Sequence, residues 1–391
     1  MADARLLTRP FLLCFFANLL QGLAFNLFLH FPGYLKLLGA DELRIGFISA
    51  LTAVAAIALR PPVGRAMDRH GRRVVILVGG VVNVLVVGLY LTIREIGPWL
   101  YFVRVVHGLA EALLFSSLFT FAADTVPAAR RTQGLALFGV SGMLPISLAG
   151  VYGDWVIPRH GYEALFASSL VLAVASLAAS LPLRDPPRRR AEPGQTVGFR
   201  AALAQPDLAP LWMMGAVFSV ALTGFFVFIK TFVDTTGIGT VGGFFSAYTI
   251  SALVLRAFFG WLPDRIGPKR VLFPALLSLA VGSLALARAN TSADVVWAGL
   301  LCGIGHGYTF PILFGLVVNR TPEENRGAAL AIFTALFDLG LLVGGPLLGA
   351  VIGRFGYSTM YASGGCLTLL GTAAFLLWER RLSRARAPAT A

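Results

Sequence analysis

One long apolar run carries Arg104-Val-Val-His107-Gly108-Leu-Ala-Glu111. At 3.6 residues per turn, positions 104, 107, 108 and 111 share one helix face. An arginine, a histidine and a glutamate are costly in an apolar medium unless they face one another or a polar cavity. Two readings fit. A carboxylate beside a guanidinium can take up and release a proton, because burial favours its neutral form and a nearby cation its charged form. Alternatively, Arg104 and Glu111 form a permanent structural pair that locks this helix to a neighbour. A second isolated carboxylate stands in Thr334-Ala-Leu-Phe-Asp338-Leu-Gly340. It lies about eleven residues into its own apolar run, near mid-depth at ~1.5 Å per residue. Asn18, Gln21 and Lys230 complete the polar candidates for a cavity wall. Asn18 and Gln21 suit interhelical hydrogen bonds equally well, and Lys230 can pair with Asp234 four residues on. His306 reads as a packing contact. No nucleophile triad, metal-ligand cluster or phosphate-binding glycine loop accompanies these residues. Enzyme chemistry, a bound metal, a cofactor and direct ATP drive are therefore not expected.

The elements that must hold such groups are membrane helices. The 391 residues are 57% apolar and only 13% charged, with a mean hydropathy of +0.77. Soluble domains carry roughly 25% charged residues. Runs such as 11–35, 74–92 and 162–181 have the length that spans a bilayer. The 43 glycines suit close helix packing in lipid. A net charge of +13 does not indicate nucleic acid, because the basic residues punctuate apolar segments and gather on no folded face. Cys14, Cys302 and Cys366 lie far apart in apolar runs and read as small packing residues. The run from Phe11 is too long for a cleaved signal and reads as a first span.

Breaks at Gly, Pro and charge predict twelve helices. They fall at 11–35, 45–63, 74–93, 97–121, 134–156, 162–182, 209–232, 241–262, 271–289, 296–318, 327–352 and 358–378. The expected fold is an all-α membrane protein with two pseudo-symmetric six-helix halves, 1–182 and 209–391. A Pro/Arg-rich linker, 183–208, joins them, and 209–391 ends in a short basic tail. With the N-terminus placed inside, 24 of the 32 Lys and Arg residues fall on the inner side and seven outside, with Arg104 in a span. That asymmetry predicts cytoplasmic termini.

An internal repeat supports the two halves. Arg60-x3-Gly64-x3-Asp68-Arg69-x-Gly71 recurs 196 residues later as Arg256-x3-Gly260-x3-Asp264-Arg265-x-Gly267, and His107-Gly108 answers His306-Gly307. Parallel repeats of this size build transporters with a site between the halves. The segment Gly64-Arg-Ala-Met-Asp68-Arg69-His-Gly71-Arg72-Arg73 resembles the signature between the second and third helices of the major facilitator superfamily. The resemblance covers the chain in helix count and in the placement of the repeated loop. It implies a cytoplasmic gate in which Asp68 caps the eleventh helix near Gly327 and Asp264 caps the fifth near Gly134. Asp124 is an expected partner of Arg72 or Arg69 in that gate.

Arg104-x3-Gly108 resembles the superfamily's fourth-helix motif, whose arginine is associated with proton coupling. Gly344-Gly345-Pro346-x2-Gly349 resembles its Gly-Pro antiporter motif. That motif belongs to helix five, where Pro145 is displaced here. The whole pattern resembles the bacterial efflux-type branch, which includes arabinose-efflux and multidrug exporters. It implies proton-coupled export of a small organic molecule by a monomer in the inner membrane. A facilitator or importer of a metabolite is the alternative within transport, and a transport-inactive receptor the alternative outside it.

Overall fold

The structure is a computed structural model, and it describes residues 7–127, 130–185, 202–322 and 325–386. The side chains of 61, 68, 131, 132, 327 and 383–386 lie outside that description. All regular structure among the described residues is helical. Helix α1 (Arg9–Asn26) starts at the Thr8 hydroxyl cap, and a 3₁₀ turn carries it into α2 (Phe31–Leu37). Helix α3 (Glu42–His70) is capped by the Asp41 carboxylate. There follow α4 (Arg72–Leu89), α5 (Pro98–Thr125) and α6 (Arg131–Ser180). The second half holds α7 (Ala209–Thr236), α8 (Val241–Phe259), the short α9 (Leu262–Ile266), α10 (Pro268–Ala287), α11 (Ser292–Arg320) and α12 (Arg326–Arg386).

Ten of the helical segments are long and apolar enough to cross a membrane. Two exceed a single crossing, α6 with 50 residues and α12 with 61. Each is broken at one glycine with positive φ, Gly161 at 76° and Gly356 at 79°. A side chain is strained in that backbone region, which glycine occupies freely. Counting each broken helix as two crossings gives the twelve predicted spans. Both breaks occur in the same local sequence, Arg159-x-Gly161-Tyr162 and Arg354-x-Gly356-Tyr357, a further part of the repeat. Large apolar side chains such as Leu85, Val171 and Leu370 stand exposed around the outside, as a lipid-facing surface requires. Trp99, Trp155 and Trp297 are exposed near one end of the bundle and Trp261 and Trp378 near the other, where aromatic belts form.

The structure corrects the segment from Arg60 to Gly71. It is not a loop: α3 continues through Pro61 and Pro62 to His70, and the turn is confined to Gly71 at φ 95°. Packed neighbouring helices tolerate such prolines at membrane depth. Arg60 therefore belongs to the span and not to the basic end.

Within each half the helices interlock, α1 with α6 and α3 with α5 in the first, α7 with α12 and α11 with α8 and α10 in the second. The halves meet along α3–α12 and α6–α8, at the end away from the termini. A Cβ on Gly46 would lie 2.0 Å from the Gly345 carbonyl oxygen, and one on Gly349 would lie 2.2 Å from that of Glu42. On the other seam Gly150 packs on Gly242, and Ser147 and Ser246 share a 2.9 Å hydrogen bond. Further along the same helices the contact is gone. Gly64 on α3 and Gly139 on α6 face open space. Gly64 is 18 residues past Gly46, about 27 Å of helix. The bundle is thus closed at one end and parted at the terminus-bearing end.

Candidate functional site

A cavity of about 260 Å³ lies between the halves. Phe25, Phe28 and Phe31 of the first crossing, Ser49 and Thr52 of α3 and Arg104 of α5 line one side. Ser219, Thr223 and Phe226 of α7 with Phe337 and Leu341 of α12 line the other. Arg104 is 7% exposed. It donates to the carbonyl oxygens of Ile48 and Ser49, each at 3.2 Å, and to the Tyr90 hydroxyl at 3.1 Å, and it packs 4.9 Å over the Phe31 ring. His107 meets the same Tyr90 hydroxyl at 3.0 Å. Gly108 makes this arrangement possible, since its missing side chain lets α5 touch the α3 backbone at Thr52.

The expected Arg104–Glu111 pair does not form. The two residues are seven apart, about 10 Å along the helix, and Arg104 is drawn sideways to α3 and α4. Glu111, half-buried, makes no ion pair among the described residues, and its charged neighbours are Arg60 and Asp338. Arg60 and Asp338 form an ion pair across the two halves, with guanidinium nitrogens 2.6 and 2.8 Å from one carboxylate oxygen. Their side chains are 22% and 19% exposed. Arg60 lies 14 residues beyond Gly46 and Asp338 seven before Gly345. The arginine therefore reaches back along the parting helices to its partner. Sequence reasoning missed Arg60 because Pro61-Pro62 resembles a helix end. The signal was Asp338 itself, since a mid-depth carboxylate calls for a cation on a facing helix.

The other candidates are dispersed. Asn18 donates to Ser141 at 2.8 Å, and Gln21 accepts from Asn83 at 3.0 Å, so both tie helices together beside the cavity. Lys230 does not reach the central cavity. It holds Asp234 at 2.6 Å in a separate pocket at the closed end, where Asp154 accepts from the Gly242 backbone N–H at 2.6 Å. That bond sets a first-half carboxylate on the start of α8, where exposed N–H groups welcome negative charge. Lys36 on α2 reaches Thr235 on α7 at 2.6 Å, a further link between the halves at this end.

At the terminus-bearing end, Arg72 pairs with Asp124 at 2.9 Å, and Arg73 donates through its backbone N–H to Asp185 at 2.8 Å. Gly71 leaves room for that aspartate. Arg69 and Asp264 are exposed, and Arg265 lies 5.5 Å over Trp261. Gly260 ends α8, and Gly267 makes a turn at φ 99° like Gly71. The Asp68 side chain lies outside the described residues. The repeat is imperfect at a telling point: Arg256, the counterpart of Arg60, donates to the Gly307 carbonyl oxygen at 3.3 Å and has no mid-depth carboxylate partner among the described residues.

Two repeated helical halves around a central cavity, joined at one end and parted at the other, define a polytopic membrane transporter and not an enzyme. The profile of the Major Facilitator Superfamily matches residues 11–287 and 238–391, and the chain belongs to that superfamily. It is 25% identical over 364 residues to YhhS of Escherichia coli, named an uncharacterized MFS-type transporter, covering 89% of this chain and 86% of that one. It is 28% identical to the uncharacterized MFS-type transporter PA1993 of Pseudomonas aeruginosa, covering 90% and 88%. Among solved structures, a nucleoside transporter, NupG, superposes with a TM-score of 0.80 at 14% identity, covering 94% of this chain and 99% of that one. The human organic anion transporter MFSD10 gives 0.72 at 18% identity, covering the same shares.

Proposed function

We propose that this transporter exports a small organic molecule in exchange for protons, with Arg60, Asp338 and Glu111 as the coupling centre. One observation carries the reading: Arg60 and Asp338 pair across the halves beside the cavity, with a second carboxylate, Glu111, near enough for the three charges to act on one another. The cluster bears one negative charge more than it can balance. In a poorly solvated setting that surplus favours uptake of a proton. A proton on Asp338 frees Arg60 to turn to Glu111 within its own half, and the cross-half tie is released. Loss of the proton restores it. Charge state and the separation of α3 from α12 are thereby linked, as rocking of two halves requires.

The basic, parted end is assigned to the cytoplasm by its excess of Lys and Arg, with both termini there and the bacterial inner membrane as host. The conformation is then inward-open, and the molecule works as a monomer. Export as the direction rests on the efflux-type motif pattern. On closure of the cytoplasmic end, Asp68 and Asp264 meet the helix starts near Gly327 and Gly134.

The test is flux in proteoliposomes across a panel of small organic acids, bases and neutral solutes, with and without an imposed pH gradient. Gradient-driven flux of at least one solute, with matching proton movement reported by a lumenal dye, is expected. Counterflow that ignores the gradient would make the protein a facilitator and overturn the proposal.

A further inference from the structure

Arg104 has no carboxylate partner among the described residues, although it is buried and lines the cavity. Three of its five N–H groups are used, two on backbone carbonyls and one on Tyr90. Those partners are neutral, so they orient the guanidinium without cancelling its charge. The hydroxyls around it are poor competitors for an anion. Thr52 donates to the Ser49 carbonyl, Ser219 to that of Phe337 and Thr223 to that of Ser219. Each therefore offers mainly acceptor lone pairs. Asp338 is engaged with Arg60, and Glu111, two helical turns along α5 from Arg104, is not part of the cavity lining. A cation entering the cavity meets an uncompensated positive charge, whereas a single anionic group meets its complement.

The rest of the wall is aromatic. Phe25, Phe28 and Phe31 face the cavity from one half, Phe226 and Phe337 from the other. Rings from both sides favour a flat apolar body stacked or set edge-on between them. The volume of about 260 Å³ falls just below the roughly 300–1,000 Å³ of pockets for drug-sized ligands. A single ring system is the scale that fits. One cation in the wall matches one negative charge, and a planar carboxylate suits the guanidinium fork.

We propose that the central cavity takes an aromatic monocarboxylate, its carboxylate held by Arg104 and its ring clasped by phenylalanines of both halves. This names the substrate class for the exporter reading and rests on the cavity being the transport site. The test is equilibrium binding to the purified full-length protein in lipid nanodiscs at one pH, with phenylacetate, phenylacetamide and phenethylamine as probes. Phenylacetate is expected to bind saturably and at least tenfold more tightly than either of the others. Arg104→Gln should weaken phenylacetate at least tenfold and leave phenylacetamide unchanged, a contrast that a merely damaged fold would not produce. If that variant does not purify as a folded monomer, Arg104→Met is read in the same way. Phe226→Ala should weaken phenylacetate and phenylacetamide together.

Equal binding of the amide or amine, no effect of the Arg104 variants, or no binding by any probe each overturns the assignment. Binding needs no gradient, so the two readings fail separately. Proton-driven flux of a cation without phenylacetate binding would sink this proposal and spare the exporter. Phenylacetate binding without any response to pH gradients would do the reverse.

Discussion

In the proposed coupling centre Arg60 chooses between two carboxylates, and each of them can be tested singly. Glu111→Gln removes the surplus negative charge and leaves the Arg60–Asp338 tie permanent. It is expected to abolish pH-gradient-driven flux in proteoliposomes while substrate binding stays measurable. Asp338→Asn removes the tie itself and should lower driven flux at least tenfold, with gradient-free exchange less affected. Full driven flux in both variants would place proton coupling elsewhere. At this scale the sequence was readable in part. Arg104, Glu111 and Asp338 stand out because charge inside an apolar run is expensive. Their partners do not stand out. A shared helix face suggested Arg104 with Glu111, yet two helical turns separate them, and Arg104 found carbonyl oxygens on α3 instead. The aromatic wall was not legible, because phenylalanines in a membrane span look alike whether they face lipid or cavity.

At the scale of elements, helix existence followed from hydropathy and ends did not. α3 outran its predicted end at 63 and reached His70, because Pro61 does not break a helix held by its neighbours. The junctions 156–162 and 352–358, expected as short loops, narrowed to Gly161 and Gly356. Crossings between helices depend on where glycine sits, and they carry their own test. Gly46→Ala would drive a methyl into the Gly345 carbonyl, an overpacking cost of about 1–3 kcal/mol. Such a cost, about tenfold in population per 1.4 kcal/mol, should open the closed end. The readout is maleimide labelling of Ser147→Cys, which is 8% exposed in this conformation, in a Cys366→Ser background. Labelling is expected to rise several-fold, while Gly353→Ala, whose added carbon would meet nothing within 4 Å, should leave it unchanged.

The proposed exchange requires the two halves to move as two bodies, and a lock between them should stop it. Ser147 and Ser246 are 2.9 Å apart at their hydroxyls, one on each half. In Ser147→Cys/Ser246→Cys, oxidation should arrest turnover to below a tenth of the reduced rate, and reductant should restore it. Unchanged flux with the disulfide formed would mean that the closed end never opens. At the opposite end Asp68→Asn should leave insertion intact but strongly reduce flux, because the closed cytoplasmic face loses a helix-end charge pairing. Wild-type flux in that variant would reduce the repeated segment to a topology signal. The two-half architecture itself was legible from the R-x3-G-x3-D-R-x-G repeat. The conformation was not, since one sequence serves both states.

The connections at the closed end are 38–41, 93–97, 237–240 and 288–291, and the two remaining ones shrink to single glycines. For an antibody, a phage or a protease arriving from that side there is almost no polypeptide to grip. A detection tag placed at Gly161 or Gly356 would sever a helical hairpin, so immunological access has to be built where slack already exists. Residues 93–97, with Arg94 in a solvent-exposed pair with Glu163, offer that slack. A short epitope inserted between Glu95 and Ile96, probed in spheroplasts and in inverted vesicles, is the practical route to learning on which side this face lies.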